Sequence, residues 1–167
     1  MDERKAGGLR KSPHHILTDK EVEILKSDIA AIDADVSKFA FNQGLRTCYS
    51  DDRDLVLVRG DVFPDEVYSV HPRDMMSARA VLAHEYYGHR PNRGTLLPES
   101  SWNDEFRASY SAALNTPGLT QQDRTFLILD ALERAKAAGV TIRWNSFMRR
   151  MVYGSDYEQE QTEANSR

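Results

Sequence analysis

Cysteine is nearly absent from this chain. Cys48 is alone among 167 residues, which excludes an internal disulfide framework and fits a reducing compartment. With no base beside it, Cys48 reads as an inert, partly buried residue, not as a nucleophile. Long apolar runs are also missing. No stretch approaches the ~20 consecutive apolar residues needed to cross a bilayer. The polar segment from Met1 to Leu17 lacks the apolar core of a secretory signal. A basic surplus is absent too. Lys and Arg number 22 against 26 Asp and Glu, a net charge of −4, which speaks against a nucleic-acid binder. There are no internal repeats. These absences point to a cytoplasmic protein with neither a membrane nor nucleic acid as partner.

What is present describes an ordinary globular chain, 40% apolar and 29% charged, long enough for one domain with a real core. Residues 1–17 read as a flexible lead-in, with His14 and His15 as solvated histidines. Residues 18–154 read as the folded domain and 155–167 as a disordered, acid-rich tail. Thr18 and Glu21 form a capping box opening a long helix. Its apolar stripe of Val22, Leu25, Ile29, Ile32, Val36 and Phe39 predicts a helix running to a stop at Asn42–Gly44. Leu55–Val58 is a short β-branched run and hence a strand. The region from there through Asp65 is either a plain hairpin or an edge strand lining a cleft, where a peptide could bind by strand addition. His71-Pro72 opens an apolar helix, with His71 as its cap. Ser101 caps another helix, which carries Trp102, Phe106 and Tyr110. Thr120 starts a fourth that stops at Gly139, and Asn145 or Ser146 starts a last one that closes at Gly154. The expected fold is α+β: mainly helical, with a small sheet packed on the central helix.

That central helix ends in His84-Glu85-Tyr86-Tyr87-Gly88-His89. Zinc proteases place two histidines four residues apart on one helix face, with a glutamate as general base between them. Here the spacing is five, which on a regular α-helix rotates the rings about 140° apart. A shared metal therefore requires a local distortion. Gly88 allows one, either by a left-handed residue ending the helix or by a π-bulge. A buried His-Glu pair without a partner is also costly, and a metal would remove that cost. Downstream, Glu105 taken alone is one more acid in a first helical turn, where the helix dipole favours it. The small residues Ala108, Ser109 and Ala112 nevertheless let its helix approach the motif helix closely.

The motif resembles the H-E-x-x-G-H sequence of the dipeptidyl-peptidase III family. Asp104-Glu105-Phe106-Arg107-Ala108-Ser109 is similar to that family's E-E-x-R-A-E/D helix. Asp104 stands where the family has its first Glu, and Ser109 where it has its last acid. The likeness covers about a quarter of the chain and is to a site, since that family is far larger. In size and layout the chain looks more like the small ImmA/IrrE-type metallopeptidases, which use four-residue spacing. Both resemblances imply a gluzincin arrangement: zinc held by His84, His89 and Glu105, water in the open position, and Glu85 as general base. The activity implied is that of a metallopeptidase acting on peptides or proteins. A zinc-dependent hydrolase of a non-peptide amide or ester is a second reading, and a non-catalytic zinc-binding module a third. Peptidase chemistry also needs a donor for the oxyanion. Tyr86, Tyr87, Tyr110, Arg90 and Arg107 are candidates, Arg107 being equally a structural salt-bridge partner, and Ser109 is a candidate for the same role or for the ligands' outer shell.

Overall fold

The computed structural model describes residues 10–65, 71–94 and 101–154. Thr18 opens helix α1 (Asp19–Ala31) with the expected capping box. The helix stops earlier than its apolar stripe predicts. Asp33 adopts a left-handed backbone, φ 54°, while Asp33 N–H and Ala34 N–H return to Ala30 and Ile29 carbonyls. This is a Schellman ending built on Asp, a residue that tolerates that conformation. The Asp35 side chain then caps a single 3-10 turn, Val36–Lys38, and Phe39 enters strand β1 (Phe39–Phe41). Phe39 is therefore core through a strand, and Val36 is exposed.

Strands β2 (Cys48–Ser50) and β3 (Leu55–Val58) complete a three-stranded sheet of order β1-β3-β2. β1 runs parallel to β3, and β2 runs antiparallel to it with Tyr49 opposite Val56. β3 is the predicted strand; the chain after it makes a 3-10 turn at Gly60–Val62. The edge strand beside the cleft is β2, which precedes the region expected to supply one. Asp61 fixes its approach, accepting both the N–H and the hydroxyl of Thr47 at 3.0 and 2.6 Å.

His71 caps as predicted, its Nδ1 accepting from Arg73 N–H at 3.3 Å. It opens only a short helix, α2 (Pro72–Met75). The backbone is extended at Met76, and Ser77 caps a new helix, α3 (Ala78–Ala83). α3 continues without a break into a π-helical turn, His84–His89. Helices α4 (Trp102–Asn115), α5 (Gln121–Ala137) and α6 (Ser146–Tyr153) follow, capped by Ser101, Thr120 and Asn145. Residues 140–142, expected to be extended, join none of the sheet's strands.

The core joins Leu25 and Ile29 of α1, Val56 and Val58 of β3, Leu82 of α3, Ala112 of α4, and Leu127 and Ile128 of α5, all essentially inaccessible to solvent. The α+β, mainly helical architecture is thus as expected, with the motif helix in the interior. Residues 10–17 are fastened to this body. The Arg10 guanidinium donates to carbonyl groups of both the Gly60–Val62 turn and α2, and His15 bonds Glu21 at 2.8 Å. His14 and His15 play no part in the site described next. Residues 155–167, expected to be a disordered tail, lie outside the described residues. Among the described residues no helix is long and apolar enough to cross a membrane.

Candidate metal centre

The π-turn resolves the five-residue spacing. A backbone bond from Arg90 N–H to Glu85 O spans five residues instead of four, so successive turns carry one more residue and His89 comes round beneath His84. The two rings meet edge to face with centroids 4.7 Å apart, and their Nε2 atoms are 3.1 Å apart. Of the two ways expected for Gly88, the π-turn is the one found. The Gly88 backbone is not left-handed; its service is the missing side chain. A Cβ there would lie 2.4 Å from Ala108 O, so Gly88 lets the motif helix press backbone to backbone against α4.

That contact delivers Glu105, one helical turn before Ala108. Its Oε2 lies 3.0 Å from His84 Nε2 and 3.4 Å from His89 Nε2. Three donor atoms thus form a triangle with sides of 3.0, 3.1 and 3.4 Å. Tetrahedral zinc with bonds of 2.0–2.1 Å places its ligand atoms roughly 3.3 Å apart. Without a cation, the two imidazole nitrogens would face each other with a single carboxylate oxygen to share. The residues present fit the ion.

The far nitrogens of both rings are engaged as well. His89 Nδ1 lies 3.3 Å from Asp104 Oδ2, and Asp104 in turn accepts from Arg107 at 3.1 Å. His84 Nδ1 lies 2.8 Å from Ser109 Oγ. Such outer contacts orient imidazole ligands and aim the opposite lone pair. Burial raises the carboxyl pKa of Glu105, but its hydrogen bonds to His84 and His89, with the charges of His84 and Arg134, hold it well below the usual range. It is a carboxylate at every ordinary pH.

Glu85 belongs to the same cluster without being one of the three. One of its carboxylate oxygens lies within 4.8 Å of a ring nitrogen of both histidines. Its Oε2 accepts from the Tyr49 N–H of β2 at 2.9 Å. The cluster opens into a cavity of about 360 Å³ walled by β2, α2, the π-turn, α4 and α5, within the size range of small-ligand sites.

The aromatic and basic candidates for an oxyanion donor are elsewhere. Tyr86, Tyr87, Tyr110, Arg90 and Arg107 do not line the cavity. The Tyr87 hydroxyl donates to Ile32 O at 2.7 Å, closing the end of α1. Tyr86 stacks on Phe39 and accepts from Asp35 N–H. Tyr110 accepts from Asn145 at 2.8 Å. Arg90 pairs with Asp54 at 3.1 Å, and Arg107 takes its salt-bridge role. All but Arg107, whose partner Asp104 is on its own helix, serve to join elements. The cations that do line the cavity are Arg10, Arg46, Arg73 and Arg134, none of them singled out by motif reasoning. Arg134 lies closest to the donors, with one nitrogen 3.5 Å from Glu105 Oε2. A sequence signal for it exists: Asp130 interrupts the apolar run 126–132, and an arginine stands four residues on. Compared with known proteins, the chain matches no family model, no curated protein and no solved structure.

Proposed function

We propose that the protein is a zinc-dependent peptidase, with His84, His89 and Glu105 as ligands and Glu85 as general base. The observation that carries this reading is the triangle of donor atoms with a further carboxylate, Glu85, beside it. A purely structural site has no use for that extra acid. The peptide reading rests on the site's chemistry and on a cavity of about 360 Å³, because the Tyr49 N–H on the β2 edge is taken by Glu85. When bound, zinc supplies Lewis-acid polarisation and brings the pKa of water to about 7. Glu85 does the proton work. With one oxygen anchored by the Tyr49 N–H, its carboxylate accepts a proton from the attacking water and passes it to the leaving amine. Arg134, fixed by Asp130 at 2.9 Å, presents a positive charge at the wall where negative charge builds up.

Glu85→Gln tests the assignment. The variant keeps its shape and loses the base, so it should bind about one zinc per chain with a melting temperature near wild type. Peptide-library cleavage at neutral pH should fall by roughly 10²–10⁴-fold. Cleavage that persists in Glu85→Gln yet stops with a chelator would remove Glu85 from the mechanism. His84→Ala and His89→Ala should each lose the zinc, and normal zinc content in both would sink the site.

A further inference from the structure

We infer that Asp130, acting through Ser109, sets the tautomer of His84 and makes α5 a positioning element of the metal centre. The argument is a count of protons along a buried chain of atoms. Ser109 Oγ lies 2.8 Å from His84 Nδ1 on one side and 2.7 Å from Asp130 Oδ2 on the other. Both Ser109 and Asp130 are wholly shielded from solvent, so water does not compete for either contact. A hydroxyl has one proton, and an ionised carboxylate has none to give. The Ser109 proton therefore points to Asp130, and His84 meets only a lone pair. His84 Nδ1 must be the donor, so in the neutral ring Nε2 is bare and faces Glu105 Oε2 at 3.0 Å and His89 Nε2 at 3.1 Å, where a proton from His89 or a cation has to lie between them.

The chain then closes on itself. Asp130 Oδ2 also accepts from Arg134 Nε at 2.9 Å, and the other arm of that guanidinium lies 3.5 Å from Glu105 Oε2. Two ligands from different helices are thereby referred to one buried aspartate on a third. Position 109, where the motif resemblance calls for an acid, holds the link, and the acid stands one residue further out along the chain of contacts. Asp130 and Ser109 touch no reacting atom. They are positioning residues.

A mere Asp130–Arg134 ion pair bracing α5 would be indifferent to Ser109, and this separates the two roles. Ser109→Ala keeps that pair, fits the space and cuts the relay. Zinc affinity, read by competition with a chelator, should fall about 10–100-fold. In the metal-free protein at alkaline pH, where imidazole is neutral, nitrogen-15 NMR should show His84 as the Nδ1–H tautomer in wild type. Ser109→Ala should shift it toward Nε2–H. The conservative variant Ser109→Thr keeps the hydroxyl and leaves Asp130 paired with Arg134. Its zinc affinity should stay at least about tenfold above that of Ser109→Ala, which a packing defect at 109 would not permit. Wild-type affinity and an unchanged tautomer in Ser109→Ala would overturn the relay. The inference rests on the metal reading, and the two fail separately. A wild type that takes up no zinc refutes the centre, while the tautomer comparison still decides the role of Asp130.

Discussion

His89 sits among three carboxylates, and its protonation decides what the metal must displace. Burial alone would lower the pKa of the ring. The hydrogen bond to Glu105 and the charges of Glu85, Glu105 and Asp104 outweigh that, raising it from 6.5 to about 9. At neutral pH the metal-free ring is therefore protonated and bound to Glu105, whereas a ligand must offer a lone pair. Zinc binding at pH 7 should release about one proton from this ring. Calorimetry in two buffers with different heats of ionisation measures it, and identical heats in both would contradict the assignment. The same shift sets a stability window. The folded value lies above the unfolded one, so the contribution is complete below about 6.5 and disappears as pH rises through about 9. The melting temperature of chelator-treated protein should decline across that window. Zinc-loaded protein, whose His89 has already given up the proton, should not share the decline.

Among the elements, the crossing of the motif helix with α4 is the decisive contact. It depends on the absence of one side chain. A Cβ on Gly88 would meet Ala108 O at 2.4 Å and Ala108 Cα at 2.8 Å, both backbone atoms that cannot rotate aside. Gly88→Ala should therefore push α4 outward, destabilise the fold by about 1–3 kcal/mol, and weaken zinc binding although no ligand changes. Denaturant unfolding and chelator competition read the two effects; wild-type values in both would show that the helices approach elsewhere. Much of this element-scale organisation is legible in the sequence because it is local. Capping by Thr18, Ser101 and Thr120 is written within four residues, and the need for a distorted turn follows from the five-residue spacing alone. The end of α1 is not legible, because an apolar stripe at helical spacing continues through Val36 and Phe39 after Asp33 has turned the chain. β1 and β2, three residues each, are too short for an alternating pattern to show. The tyrosines misled for a different reason: a hydroxyl near a motif in sequence says nothing of its partner in space. Here those partners are backbone groups and side chains on other elements. Asp130 is the opposite case, distant from the motif in sequence and joined to it only by tertiary packing.

Over the whole molecule, a metal held by His84, His89 and Glu105 would join two stretches that meet only in the folded state, the π-turn and α4. An ion that binds only the native arrangement stabilises it by mass action, by about 4 kcal/mol at a free concentration 1,000 times Kd. For a chain of this size, about 8–16 °C of melting temperature should separate zinc-loaded from chelator-treated protein. A difference below about 2 °C would mean the ion is not held between these elements. The π-turn has a consequence at this scale too. It accommodates one more residue than an α-helical turn while keeping both ends of its rod in place: Ala78 and Ala80 packed in the core before it, Gly88 against Ala108 within it. Such a turn holds what a single added codon would bring to an α-helical turn with its histidines four apart. Excising Tyr87 reverses that step, closing the pair to four-residue spacing with a glycine still before the second histidine. The 3-10 turn Arg90–Asn92 would take up the lost residue. Four- and five-residue spacings of the histidine pair are thus one codon apart in sequence.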